Sequence, residues 1–215
     1  MITVFLVDDH ELVRTGIKRI LDDIRGIKVV GDANCGEDAV AYCRKNSPNI
    51  VLMDMNMPGI GGMEATKKIL RFNPDVKVIV LTVHCEDPLP SKVMQIGAHG
   101  YLTKSAGSDE MINAIRAVHS GQRYIAPDIA QQIALNQFSG HRDENPIQSL
   151  SERELQIMLM ITKGEKVQDI ADKLSLSSKT VNSYRYRMFE KLNISGDVEL
   201  THLAIRHGLL DMDKL

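Results

Sequence analysis

Several features that mark other classes of protein are missing from this chain of 215 residues. Its formal net charge is only −2, which argues against bulk electrostatic attraction to nucleic acid but leaves room for a local basic face. Its three cysteines form no Cys-x-x-Cys pair, so neither a disulfide framework nor a zinc site is expected. No apolar run approaches the roughly 20 residues of a membrane span, and the first residues lack a basic leader with a cleavage site. We therefore expect a cytoplasmic protein without membrane contact.

What the sequence does contain, over roughly its first half, is a regular alternation of two hydrophobic patterns. Largely apolar, β-prone segments predict strands at residues 2–7, 27–33, 50–53, 76–82 and 100–103, and the one at 50–53 is a continuous apolar run typical of a strand buried on both faces. Each is followed by helical spacing, at residues 12–24, 37–45, 63–72, 88–96 and 108–119, with Ser108 as the expected N-cap of the last helix. This alternation predicts an α/β fold, a doubly wound five-stranded parallel sheet whose ligand crevice lies at the carboxyl ends of the strands.

The second half of the chain is predicted to be helical. One more helix is expected at residues 128–138, and the polar stretch 139–149 is typical of a linker. Residues 150–215 predict four helices: a serine capping box opens the first, helices at 166–174 and 177–192 follow, and Asp197 is expected to cap the fourth. The predicted domains are residues 1–123, a linker at 124–148, and an all-α helix-turn-helix domain at 149–215.

Acidic residues stand where two of the predicted strands end. Asp8 and Asp9 follow the first strand, and Asp54 ends the third. In a sheet of order 2-1-3-4-5 these strands are neighbours, so the three carboxylates would share one edge and repel one another unless a cation neutralised them. Carboxylates, a backbone carbonyl and waters suit magnesium. The alternative is that Asp9 caps the first helix and Asp8 is solvated.

A hydroxyl and an ammonium group are expected at the same edge. Thr82 ends the fourth strand and Lys104 ends the fifth. Alone, each is more simply an ordinary strand threonine or a surface lysine. Together with an acidic cluster and a metal they could hold a phosphoryl group, since a carboxylate can attack phosphorus while positive charge neutralises the equatorial oxygens.

These motifs resemble the receiver domain of bacterial two-component response regulators, a resemblance that covers residues 1–121. It implies that Asp54 is the phosphoacceptor, and that Mg²⁺ is held by Asp9, Asp54 and the backbone carbonyl of Asn56, with Asp8 assisting through water. It further implies that Lys104 binds the phosphoryl group and that Thr82 and Tyr101 form a switch pair. Tyr101 is expected to fill, from outside, the space that Thr82 leaves on phosphorylation. The sequence departs from the common family pattern at Ser105, where many receivers have proline.

The helix at 177–192 is the one element of the helical domain with an excess of positive charge, since it carries four basic residues and one acidic residue, Glu190. In a helix-turn-helix this recognition helix enters the major groove, where Asn can bind adenine and Lys or Arg can bind guanine or phosphate. The alternative is an amphipathic surface helix in a small bundle.

The second half also resembles a known family, the LuxR/NarL-type four-helix DNA-binding domain. The shared motifs are Leu150-Ser-Glu-Arg-Glu-Leu, Ile170-Ala-x-x-Leu and Ser177-x-Lys-Thr-Val-Asn. The resemblance implies base contacts by Asn182, Ser183 and Tyr186, and contacts with the DNA backbone by Lys179, Thr180 and Lys191. Arg187 is also expected to bind DNA. The helix at 198–207 matches the dimerisation helix of the family, and we assign Val198, His202 and Ile205 to the dimer contact.

Within this family, residues 182–189 and 81–90 resemble those of the GacA/UvrY/SirA/VarA branch. It implies a phosphorylation-activated transcription regulator that acts with a BarA/GacS-type sensor histidine kinase, binds double-stranded DNA as a homodimer, and activates genes for small regulatory RNAs. No enzyme activity is expected beyond self-phosphorylation and autodephosphorylation at Asp54. Two alternatives remain. One is a signalling adaptor without DNA binding. The other is an aspartyl-phosphate hydrolase, but such an enzyme needs a second acid two residues after the nucleophile to transfer protons, and that position holds Asn56. Phosphate is expected to release a masked recognition helix or to drive dimerisation.

Overall fold

A computed structural model describes residues 1–82, 89–138, 146–207 and 209, apart from the side chains of 136–138. These residues belong to two compact units, one built on a sheet and one helical. Within the described ranges, no helix is long and apolar enough to cross a membrane. Residues 139–145 of the predicted linker and residues 83–88 of the segment 81–90 lie outside the described residues.

The first unit is organised by a parallel sheet with strand order β2-β1-β3-β4-β5-β6. The strands are β1 (Ile2–Val7), β2 (Ile27–Ala33), β3 (Ile50–Asp54), β4 (Lys77–Thr82), β5 (Gly100–Thr103) and β6 (Tyr124–Ile125). The predicted doubly wound fold class is confirmed, but the predicted count of five strands is wrong. The sixth strand has only two residues, too few to show a period in the sequence.

Helices follow the strands in regular alternation. They are α1 (Glu11–Asp22), α2 (Gly36–Lys45), α3 (Gly61–Phe72), α4 (Leu89–Ile96), α5 (Ser108–His119) and α6 (Pro127–Phe138). Ser108 is the first residue of α5 and not its N-cap, because Gly107 occupies that position without a side-chain hydrogen bond. The expected serine cap is therefore wrong by one residue.

Strand register brings the ends of the central strands to one edge. Strand β3 is buried along its whole length, as a strand covered on both faces must be. Val7 pairs with Met53, so the residue after Val7 lies beside Asp54. Asp54 in turn pairs with Leu81, one residue before the end of β4. Polar side chains at these ends leave the core together.

The second unit consists of a 3₁₀ helix (Pro146–Ser149) and four α-helices, α7 (Glu152–Thr162), α8 (Val167–Leu174), α9 (Ser178–Leu192) and α10 (Asp197–Arg206). The capping box of α7 is confirmed, with Ser151 and Glu154 bonding to each other's backbone N–H groups. The expected cap of α10 is wrong, since Gly196 holds that position.

The 3₁₀ helix shows that the end of the predicted linker has structure of its own. Ile147 is fully buried, and the segment packs against α9. Residues 146–149 therefore contribute to the core of the helical unit. The boundaries at 123 and 148 stay a prediction.

Candidate functional site

The acidic cluster predicted from the sequence is present at the carboxyl edge of the sheet. Single oxygen or nitrogen atoms of Asp8, Asp9, His10 and Asp54 all lie within 4.8 Å of one another. Asp8 is 2% exposed and Asp54 1%, which is far below the usual exposure of aspartate. Asp9 does not cap α1, because the N-cap residue is His10. The alternative of solvated or capping aspartates therefore does not describe this cluster.

Lys104 lies in the middle of the buried carboxylates. Its Nζ is 2.7 Å from Asp8 Oδ2 and 2.8 Å from Asp54 Oδ2. Its backbone N–H donates to the Thr82 carbonyl at 2.7 Å, which continues the β4–β5 ladder past the strand ends. The side chain is 15% exposed, so Lys104 is not a solvated surface lysine.

The pKa of Asp54 and the pKa of Lys104 are both raised above their ordinary values. Burial raises the pKa of the Asp54 carboxyl, Asp8 raises it further, and Lys104 only partly offsets them. Burial alone would lower the pKa of Lys104, but the two carboxylates outweigh it and raise that pKa. The lysine therefore stays an ammonium ion, and the buried carboxyl favours additional positive charge nearby.

The donor set fits a hard cation such as Mg²⁺. The buried oxygens Asp8 Oδ2 and Asp54 Oδ2 face the Lys104 ammonium group, and the buried Asp9 Oδ1 faces the His10 ring. One ammonium against three carboxylates leaves an excess of negative charge. Carboxylate oxygens are the ligands that Mg²⁺ prefers.

His10, which directly follows the two aspartates, also belongs to the cluster. Its Nδ1 lies 2.8 Å from Asp9 Oδ1 and 3.2 Å from Asp8 Oδ1, and its backbone N–H donates to Asp8 Oδ1 at 2.8 Å. The side chain is 43% exposed. The sequence feature that could have indicated this role is the position of the histidine directly after the two aspartates.

The β3–α3 loop, which carries Asn56, is held by close backbone packing. The Asn56 N–H donates to Asp54 Oδ1 at 3.1 Å, and Glu37 Oε1 accepts the Ile60 N–H at 3.0 Å. A Cβ on Gly62 would lie 2.0 Å from the Asp54 carbonyl oxygen, so only glycine fits there. These contacts fix the loop beside the Asp54 carboxylate.

The predicted switch pair lies on neighbouring strands. Thr82 is the last residue of β4 and is fully buried. Tyr101, on β5, is fully buried as well. The tyrosine ring therefore already lies inside in this structure, whereas the sequence-based expectation had it entering from outside.

The helix-turn-helix is formed by α8 and α9. Ser175 ends α8 in the left-handed conformation, and Ser177 Oγ accepts the Thr180 N–H at 3.1 Å to start α9. Ser178 Oγ donates to Gln168 Oε1 at 2.7 Å and joins the two helices. A tight turn between short helices is the arrangement that places a recognition helix in a groove.

The predicted base-contacting residues lie on the outer side of α9. Tyr186 is 61% exposed, Ser183 is exposed and Asn182 is half-buried. Their opposite face is the apolar side that packs inward, with Val181, Met188 and Leu192 buried. Lys179 and Arg187 are exposed and Thr180 is half-buried, so these predicted phosphate contacts also face outward.

Two basic residues of α9 are engaged within the unit. Lys191 Nζ is 2.6 Å from Glu154 Oε2 and donates to the Ser149 carbonyl at 3.3 Å. Arg185 donates two hydrogen bonds to the Asp197 carboxylate, at 2.7 and 2.5 Å. The predicted role of Lys191 as a phosphate contact therefore competes with an internal ion pair, which the sequence did not indicate.

Helix α10 presents the three predicted dimerisation residues on one stripe. Val198 is 70% exposed, His202 is exposed and Ile205 is half-buried, at the spacing i, i+4 and i+7. Leu200 and Ala204 point into the core. The stripe is thus available on the outer side of the helix.

Comparisons with known proteins agree with this geometry. Residues 4–116 match the response regulator receiver domain, and residues 148–204 match the luxR family of bacterial regulatory proteins. Response regulator UvrY of Escherichia coli is 69% identical over 215 residues, which is 100% of this chain and 99% of the relative. Response regulator GacA of Pseudomonas aeruginosa is 61% identical over 211 residues, covering 98% of this chain and 99% of the relative.

A solved structure resembles the whole chain. RcsB of Salmonella enterica, bound to a promoter in the presence of a phosphomimetic, has a TM-score of 0.76 and 25% identity, and covers 94% of this chain and 97% of that one. A receiver with an acidic cluster and Lys104 thus precedes a helix-turn-helix, in the order found in these relatives. The chain therefore belongs to the two-component response regulators with a LuxR-type DNA-binding domain, which are phosphorylation-dependent transcription regulators.

Proposed function

We propose that Asp54 accepts a phosphoryl group from a sensor histidine kinase and that the phosphorylated chain then binds promoter DNA. The observation that carries the proposal is the contact of the Lys104 ammonium, at 2.8 Å, with a carboxylate that is only 1% exposed. A buried carboxylate beside a fixed cation and two more acids has the parts that phosphoryl transfer to aspartate requires.

The residues take distinct roles in the transfer. An Asp54 oxygen attacks phosphorus, and the bond from phosphorus to the donor's leaving atom breaks. Lys104 moves from the carboxylate to a phosphoryl oxygen and neutralises it, while the Thr82 hydroxyl donates to another. Asp8, Asp9, Asp54 and the Asn56 carbonyl would hold Mg²⁺, which supplies further positive charge to the phosphoryl oxygens when bound. The same groups would support slow autodephosphorylation by water.

The output is proposed to reside in the helical unit. The phosphoryl group adds about −1.5 to −2 charge at Asp54, and Thr82 and Tyr101 adjust to it. Asn182, Ser183 and Tyr186 then contact bases, and Lys179, Thr180, Arg187 and Lys191 contact the DNA backbone. Pairing through Val198, His202 and Ile205 would give a homodimer that matches a two-fold operator.

The proposed biological setting is supported by the similarity to the relatives. Identity of 69% with UvrY and 61% with GacA over almost the whole chain supports a BarA/GacS-type kinase as the partner. It also supports activation of small regulatory RNA genes, and a cytoplasmic location where kinase and DNA are both accessible.

The test is phosphorylation of matched variants. The full chain, Asp54→Asn and Asp75→Asn are incubated with a small-molecule phosphodonor and Mg²⁺, and intact masses are measured. Asp75 is an exposed residue before β4 and serves as the control. We expect one phosphoryl adduct on the wild type and on Asp75→Asn and none on Asp54→Asn, whose amide is nearly isosteric. An adduct on Asp54→Asn would assign the acceptor to another residue.

DNA binding is measured on the same samples at physiological salt, because nonspecific contacts weaken steeply with salt. Phosphorylated wild type should shift a promoter fragment more tightly than Asp54→Asn treated in the same way. Equal shifts would separate DNA binding from phosphorylation and overturn the proposed coupling.

A further inference from the structure

The acidic loop after β1 is held by a side chain that comes from the first turn of α1. Arg14 Nη1 donates to the Asp8 carbonyl oxygen at 2.7 Å, and Arg14 Nε donates to Asp32 Oδ2 at 3.0 Å. The arginine side chain is 15% exposed, so most of it is enclosed by the protein. One guanidinium thus joins the loop, α1 and β2.

The peptide groups of Asp8 are fixed on both sides. Its N–H donates to the Ala33 carbonyl at 3.2 Å, which extends the pairing of β1 with β2, and its C=O accepts from Arg14. The backbone torsions of Asp8 are consequently restrained. They determine the direction in which the carboxylates of Asp8 and Asp9 leave the chain.

Asp32 gives the arginine a geometry that lysine cannot reproduce. A guanidinium donates in fixed directions from one plane, so bonding Asp32 through Nε aims Nη1 at the loop. The Asp32 carboxylate also balances the arginine charge, so the clamp adds order without adding net positive charge beside the cluster. We call Arg14 and Asp32 the loop clamp.

We infer that the loop clamp positions Asp8 and Asp9 for cation binding, and that Arg14 is therefore a positioning residue for phosphorylation of Asp54. The inference rests on the proposed function, because it assumes that the acidic cluster takes Mg²⁺. Groups outside a metal's own ligands that orient those ligands commonly change affinity by about 10–100-fold when removed.

The surroundings of the clamp allow its role to be separated from folding. Arg14 and Asp32 line an open cavity of about 440 Å³ next to the stacked rings of Phe5 and Tyr42. A shorter side chain at position 14 leaves water-accessible space there, and not a void in the core. Variants of the clamp should therefore keep a cooperative thermal unfolding transition.

The experiment measures Mg²⁺ binding to the unphosphorylated full chain by titration calorimetry. The variants are Arg14→Gln, Arg14→Lys, Asp32→Asn and the double variant Arg14→Gln with Asp32→Asn. The control is Arg19→Gln, because Arg19 is an exposed arginine of the same helix. We expect Arg14→Gln to weaken binding about tenfold, with Arg14→Lys and Asp32→Asn between it and the wild type. The double variant should be no worse than Arg14→Gln, since the clamp acts as a unit.

The phosphorylation rate provides the second readout. At subsaturating Mg²⁺ it should fall in parallel with affinity, and at saturating Mg²⁺ it should recover toward the wild-type rate. Unchanged Mg²⁺ affinity in folded clamp variants would overturn the inference, as would an equal loss in Arg19→Gln. If Arg14→Gln does not fold, Asp32→Asn and Arg14→Lys decide by the same criteria. Failure of the wild type itself to bind Mg²⁺ would overturn the proposed metal site instead.

Discussion

The ion pair between Lys191 and Glu154 is expected to stabilise the helical unit, and Lys191→Met tests it. Methionine keeps an apolar side chain of similar length but lacks the ammonium group, and with it the charge and the hydrogen bonds to Glu154 and to the Ser149 carbonyl. Glu154 is 4% exposed in its side chain, and its Oε2 also accepts the Ser151 N–H at 2.7 Å. Without the lysine, a buried carboxylate keeps one partner where it had two.

The size of the effect follows from this burial. A hydrogen bond to a charged group contributes about 1.5–3 kcal/mol, whereas exposed ion pairs contribute about 0–1 kcal/mol. The Lys191 side chain is 40% exposed whereas Glu154 is buried, so the contribution of this pair should lie between that of a buried charged hydrogen bond and that of an exposed ion pair. We expect a loss of about 1–2 kcal/mol, which for a domain of this size lowers the melting temperature by roughly 4–16 °C.

The pH dependence of the loss has a definite sign. Burial would raise the pKa of Glu154, but bonds from Lys191 and Ser151 lower it below its ordinary value of 4.5. A group with a lowered folded-state pKa stabilises the fold above its ordinary pKa, and that contribution disappears as the pH falls through the folded-state value. The wild type and Lys191→Met should therefore differ at neutral pH and converge well below pH 4.5.

The assay is thermal unfolding of residues 146–215 followed by circular dichroism at several pH values. Lys179→Met is the matched control, because Lys179 lies on the same helix, is exposed, and makes no ion pair among the described residues. It should unfold like the wild type and bind DNA less tightly. A Lys191→Met variant as stable as the wild type at neutral pH, or a deficit that persists undiminished in acid, would refute the reasoning.

Three further predictions concern the DNA face, a close backbone contact and the domain edge. Asn182→Ala, Ser183→Ala and Tyr186→Ala should each lower specific DNA affinity by about 1–3 kcal/mol wherever the side chain contacts a base; competition with random DNA measures this, and undiminished discrimination by Tyr186→Ala would contradict the assigned face. Gly62→Ala should destabilise the receiver by at least about 1–3 kcal/mol, because its Cβ would lie 2.0 Å from the Asp54 carbonyl oxygen; Gly16→Ala, which meets nothing within 4 Å, is the control in chemical denaturation. If phosphorylation acts by unmasking the recognition helix, a fragment of residues 146–215 should bind DNA without phosphorylation. Binding by this fragment no tighter than that of the unphosphorylated full chain would instead favour dimerisation as the trigger. A fragment that starts at residue 149 should have a lower melting temperature, because it lacks the buried Ile147.

The sequence predicted those parts of the protein that depend on repeated or consecutive residues. The five longer strands follow from apolar runs, and Asp54 and Lys104 follow from polar residues at the ends of such runs. The register of β3 and β5 on either side of β4 then brings them together, since parallel strands end at one edge. Strand β6, with two residues, carries no such pattern and was missed.

Contacts made by a single long side chain were not predictable in this way. Arg14 and Lys191 look like any basic residue on a helix surface. Their partners, the Asp8 carbonyl and Glu154, lie 6 and 37 residues away along the chain, at distances that only the folded backbone fixes. The same applies to the expected caps Ser108 and Asp197, each displaced by one residue because a preceding glycine takes the cap position.

The position of β1 between β2 and β3 has a consequence for the speed of folding. Its pairing with β3 joins segments that are distant in sequence, as in the contact of Thr3 with Asn49 across 46 residues. Closing so long a loop costs entropy before the pairing stabilises it, so topologies of this kind fold slowly. The helical unit also packs segments that are distant in sequence, such as α7 against α10 and Lys191 against Glu154 across 37 residues, but the backbone hydrogen bonds of its helices join residues only about four apart. After dilution from denaturant, the recognition helix should therefore regain its structure before the phosphoacceptor edge of the sheet is assembled.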